Sequence, residues 1–139
     1  MKKSIFLICL LGLATGLFAQ DVNLEELDPG RYDREKAKTE IIIPENQHLL
    51  DQNGEEKKNA SVKIEYSPFY DEVRIYYECM YVTYDRGEAM NTVMACLQDF
   101  QKDKKYFSYR YLRDDRERFF KDERGRRKAQ YISYVKFSR

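Results

Sequence analysis

A chain of 139 residues with 25 basic and 24 acidic side chains, net charge +1 and one histidine has room for a single domain around one core. The lone His48 sits in a polar stretch with no nucleophile in recognisable context, so Ser–His–Asp or Cys–His catalysis has no basis. Histidine and cysteine at metal-ligand spacings are missing, and the six glycines are scattered rather than gathered into a phosphate loop. No cofactor or metal is called for.

In chain order, Met1-Lys2-Lys3-Ser4 precedes an apolar run from Ile5 to Leu13, and Ala19 then supplies the small residue a signal peptidase requires. The pattern predicts a cleavable signal over residues 1–20 and a bacterial exported protein, periplasmic or extracellular. A retained anchor fits less well. The apolar stretch ends at Ala19, short of the roughly 20 residues of a span, and acidic Asp21, Glu25, Glu26 and Asp28 follow it. Cys9 stands behind Ile8 rather than a small residue, so it is not a lipidation site.

Removing the signal takes away Lys2 and Lys3 and leaves 23 basic against 24 acidic residues, a charge of −1. The sum hides an asymmetry. Residues 21–100 carry 9 basic and 18 acidic side chains, a balance of −9, whereas residues 101–139 carry 14 and 6, a balance of +8. Such a split suits either two faces that attract each other or a basic surface offered to an anionic partner.

Residues 21–60 read as a polar, partly flexible arm with turn signals at Asp28-Pro29-Gly30 and Asn53-Gly54. Its one apolar cluster, Ile41-Ile42-Ile43 before Pro44, predicts a short strand. Asp51 to Glu55 opens like a calcium loop, but its glycine stands fourth rather than sixth and no closing glutamate follows at the right place.

The domain proper is expected over 61–139. Val62, Ile64 and Tyr66 alternate with polar neighbours, Ser67-Pro68 interrupts, and Val73, Ile75, Tyr77, Cys79 and Tyr81 alternate again; the two runs predict an antiparallel hairpin. Asp85 with Glu88 has capping-box spacing, and Ala89, Met90, Val93, Met94, Leu97 and Phe100 form one helical stripe with Cys96 at its margin. Tyr106 to Leu112 and Ala129 to Phe137 alternate as strands. Asp114 to Gly125 is ambiguous between a helical turn, which the Asp114–Glu117 spacing favours, and one arm of a long hairpin. The fold class expected is α+β: a small antiparallel sheet in the order β-β-α-β-β with one helix on one face, behind a polar N-terminal arm.

Cys79 and Cys96 are the two cysteines left after cleavage, and an exported pair forms either a disulfide or two buried thiols. The most informative feature is tyrosine interleaved with base in the C-terminal strands. Arg110, Arg126, Arg127 and Lys128 with Tyr109, Tyr111, Tyr131 and Tyr134 make a candidate surface on which rings stack and cations grip anions. The aromatic run lacks the glycine of an RNA-recognition signature, and export disfavours nucleic acid. The partners expected are a protein or an anionic envelope polymer or lipid headgroup, bound without catalysis. The alternatives are a small hydrolase using two carboxylates, or self-association through the last strand as an open sheet edge. Rings under the helix would be core and not surface, and periodicity alone does not say which face the helix covers.

Overall fold

The computed structural model describes residues 38–139. The export signal expected over 1–20 and the first part of the arm lie outside the described residues. Six strands form one antiparallel sheet: β1 (Glu40–Ile42), β2 (Ser61–Ser67), β3 (Glu72–Met80), β4 (Ser108–Tyr111), β5 (Arg116–Lys121) and β6 (Arg127–Ser138). One helix, α1 (Arg86–Asp103), follows β3. In space the sheet runs β1-β2-β3-β6, and β4 and β5 both pair with the far side of β6. The α+β class and, among the described residues, the single α-helix agree with the sequence pattern; the expected β-β-α-β-β order omits β1 and β5.

The β2–β3 hairpin has the register Ser61↔Glu78 to Ser67↔Glu72, turned at Pro68 to Asp71. Asp71 adopts φ 54°, a left-handed geometry that aspartate tolerates in a turn. Alternation on these strands sends Val62, Ile64, Tyr66, Val73, Ile75, Tyr77 and Cys79 to one face, all buried. Ala129, Tyr131, Ser133, Val135 and Phe137 of β6 share that face. The helix covers it with Ala89, Thr92, Val93, Cys96, Leu97 and Phe100.

The helix starts as its sequence indicates, with the Asp85 carboxylate accepting the Glu88 backbone N–H at 2.9 Å. Glu88 does not complete the capping box. Its carboxylate accepts instead from the Gln52 backbone N–H (3.1 Å) and from Lys57 Nζ (2.8 Å). The buried stripe is also rotated from the predicted one. Met90 and Met94 are exposed, and Thr92 and Cys96 are buried in their place. The cause is the segment before β2, which lies along that side of the helix. His48 Nε2 meets Asp99 at 2.5 Å, Thr92 Oγ1 donates to His48 O, and Cys96 Sγ points at Gln47 O, while Leu49 packs on the core. This part of the arm is therefore a docked strap, where the sequence suggests loose packing. His48 is part of it rather than a freely solvated loop side chain.

Two further expectations are corrected. Asp114 to Gly125 forms no helical turn: Arg116–Lys121 is a strand paired with Arg127–Ile132. β6 is 12 residues long, enough to carry β4 along its C-terminal part and β5 along its N-terminal part. The connecting turn is set by Asp122, which accepts the backbone N–H groups of Arg124 (3.0 Å) and Arg126 (2.9 Å), with Gly125 at φ +75°. Consequently the last strand is not an open edge. β3 pairs with one side of β6 and β4 and β5 with the other, so edge pairing through β6 is closed off.

Cys79 and Cys96 are both buried free thiols. Cys79 Sγ contacts Met80 O, whereas Cys96 Sγ faces the strap carbonyls. Burial, and then the nearby Asp99, push the Cys96 thiol up to about 12. Among the described residues, no helix is long and apolar enough to cross a membrane.

Candidate binding face

The strand period that fills the core also composes the opposite face, which no helix covers among the described residues. Reading the register across, that face presents Lys63 and Glu65 of β2, Arg74, Tyr76 and Glu78 of β3, and Lys128, Gln130, Ile132, Tyr134 and Lys136 of β6. Arg110 of β4 lies opposite Lys136, and Arg116 and Arg118 of β5 lie opposite Ile132 and Gln130. Arg113, between β4 and β5, turns onto the same face.

The eight residues expected to make one surface are divided between the two faces and the turn. Tyr131 is buried under the helix and donates its hydroxyl to Asp115, which also accepts from Ser133 Oγ at 2.6 Å. Tyr109 and Tyr111 lie on the helix side of the sheet, edge to face with each other at 5.9 Å, and Tyr109 packs on Phe137. Arg127 also points to the helix side, 4.0 Å from the ring centre of Tyr81. Arg126 is held in the turn by Asp122 at 2.8 Å, and Lys128 is paired with Glu78 at 3.4 Å. Only Arg110, Lys128 and Tyr134 reach the open face, and of these only Arg110 and Tyr134 belong to its unpaired basic part.

What gathers around Tyr134 is a different set. Arg74 and Arg113 lie over its ring, at 4.6 and 4.9 Å from the centroid, with Arg116 beside them; Arg118 lies farther along the same face, over Phe120 at 5.2 Å. Each such contact is worth about 0.5–1 kcal/mol at an exposed site, enough to bias where a guanidinium rests. Arg110, Arg113, Arg116 and Arg118 are exposed, as is Arg74. Among the described residues none of these five guanidiniums is within ion-pair distance of a carboxylate. Lys57, Lys63, Arg86, Arg126, Lys128 and Arg139 each are.

Two shallow depressions adjoin Tyr134 and Arg74, which line both. One, of about 160 Å³, is walled by Arg113, Arg116, Asp114, Ile132 and Tyr76. The other, of about 230 Å³, is walled by Glu65, Glu72, Ser67, Thr39 and Tyr70. The tyrosines fix the carboxylates between them: Tyr76 OH donates to Glu65 at 3.0 Å and Tyr134 OH donates to Glu72. That donation to Glu72, and then burial, raise the Tyr134 hydroxyl above its ordinary value against the pull of Arg74. Burial, and then Glu65, do the same for Tyr76. Both hydroxyls therefore stay protonated donors at neutral pH.

Sequence reasoning missed Arg74, Arg113, Arg116 and Arg118. Arg74 was legible, since it alternates with the core residues of β3. Arg116 and Arg118 were hidden because their strand was read as a helical turn, and Arg113 because turn geometry aims it. Among the described residues no aspartate or glutamate is fully buried, and no group of three metal-ligating side chains converges. No family model, curated protein or solved structure matches this chain.

Proposed function

We propose that this chain is an exported, non-catalytic domain that holds an anionic component of the cell envelope on the open face of its sheet. The observation that carries this reading is the cluster of guanidiniums around Tyr134, with Arg74 and Arg113 over its ring and Arg116 beside them, none within ion-pair distance of a carboxylate among the described residues. Arginine gathered this way repels itself and is stabilised when an anion accepts its planar pairs of N–H groups. The signal-like N-terminus adds the compartment, which directs the surface toward envelope anions and away from nucleic acid.

The test is retention of the full chain on phosphocellulose across a salt gradient. Arg113→Ala/Arg116→Ala/Arg118→Ala should elute at clearly lower salt, because exposed charges act through a screened field. Arg126→Ala/Arg127→Ala should move elution less for each charge removed, since those side chains are engaged by Asp122 and Tyr81. Equal displacement per charge by the two sets would mean that bulk charge, and not this face, does the binding.

A further inference from the structure

The two depressions flanking Arg74 and Tyr134 differ in chemistry, and the difference specifies a ligand. On one side Arg113 and Arg116 outnumber Asp114, which suits an anionic group gripped by paired guanidinium N–H donors. On the other side Glu65 has Lys63 at 3.5 Å and accepts from the Tyr76 hydroxyl, and Glu72 accepts from the Tyr134 hydroxyl, with Arg74 shared between the two depressions. The negative excess left there to attract an ammonium group is small. That side offers carboxylate lone pairs beside the hydroxyls of Ser67 and Tyr70, a mixture that pairs with groups able both to donate and to accept.

The two sides are separated by strand spacing. From the β2 row holding Glu65, across β3 and β6, to the β4–β5 connection is three steps, roughly 14 Å. A phosphate or a lipid headgroup alone fills only the basic end. We infer that the ligand is an acidic oligosaccharide, with a carboxylated, sulfated or phosphorylated sugar over Arg113 and Arg116 and a hydroxyl-rich sugar over Glu65 and Glu72. This deepens, and rests on, the reading of the open face as an anion-binding surface.

The experiment is calorimetric titration of the full chain with oligogalacturonate, inorganic polyphosphate and phosphatidylglycerol vesicles at one salt concentration. Oligogalacturonate should bind tightest. Arg113→Ala/Arg116→Ala should weaken it and polyphosphate together. Ser67→Ala, an exchange that leaves the Tyr134–Glu72 contact intact, should weaken oligogalacturonate by roughly fivefold. Oligogalacturonate binding unchanged by Ser67→Ala, or preferential binding of the vesicles, would overturn the glycan assignment while leaving the anion-binding face standing. Absence of binding to all three ligands would overturn both.

Discussion

Tyr131 and Tyr134 are three residues apart on one strand, yet they have opposite surroundings. Tyr131 lies beneath α1 with its hydroxyl tied to Asp115, and its neighbours Ala129 and Val135 are fully buried. Tyr134 lies on the far face between two guanidiniums, beside Ile132 and Lys136 that remain partly open. The pleat makes this division, and it shows that tyrosine content alone does not locate a surface. The helix-covered face spends its aromatic rings on packing: Phe100, Tyr106, Tyr109 and Phe137 pack with ring centres 4.8–6.4 Å apart. On the open face the rings carry cations without such ring packing, Arg74 and Arg113 on Tyr134 and Lys63 on Tyr76, whereas the cations over Tyr66, Tyr77 and Tyr106 on the covered side cap rings already packed in the core.

Alkali should break the covered face most completely. Burial raises Tyr77, Tyr84, Tyr106 and Tyr131 above the ordinary tyrosine value near 10, and pushes Cys96 up to about 12. Each is a neutral acid whose folded value exceeds its unfolded one. Below about pH 9 both states hold these protons and stability is full. Above it the unfolded chain loses first the Cys96 proton and then, near pH 10, the tyrosine protons, so stability falls from about pH 9 through pH 12. Tyrosinate absorbance and far-ultraviolet circular dichroism should therefore change together in one steep transition. Ionisation of most tyrosines with the fold intact would contradict this packing.

Substitutions then separate the faces. Phe137→Ala removes a ring that is 2 % exposed and should cost about 3–5 kcal/mol in urea unfolding, whereas Tyr134→Ala, which loses two cation contacts and one hydrogen bond, should cost about 1–2 kcal/mol. Comparable losses would mean that the open face is as tightly packed as the core. The strap offers an intermediate case. Lys57 and Glu88, 8 % and 13 % exposed, meet at 2.8 Å, and Lys57 also donates to Thr83 O. Lys57→Met strands the glutamate and should cost about 2–3 kcal/mol, with much of it recovered in Lys57→Met/Glu88→Leu. The smallest change expected is from Asp85→Ala, about 1 kcal/mol for one lost helix cap.

Local signals were readable where one residue sets one geometry. Asp85 marks the helix start, and the alternation from Val62 to Cys79 gives the hairpin and its two faces. Features that depend on distant partners were not readable. Met90 and Met94 suit a buried stripe as well as Thr92 and Cys96 do, until the strap occupies one side of the helix. Arg116 to Lys121 becomes a strand because β6 offers an unpaired length, and no periodicity within those six residues records that. The candidate surface fared similarly: residue type pointed to basic and aromatic chemistry in the C-terminal third, but Arg126, Arg127 and Lys128 found internal partners. Arg74, from the acidic part of the chain, joined the basic group through the sheet.

The most direct measurement is an amide NMR titration of the full chain with oligogalacturonate. Resonances of Arg74, Arg113, Arg116, Ile132 and Tyr134 are expected to shift first and furthest, with Val93, Leu97, Tyr131 and Val135 nearly still. Shifts centred on α1 and the strap, or on the turn at Arg126 and Arg127, would contradict the assignment of the open face as the binding surface.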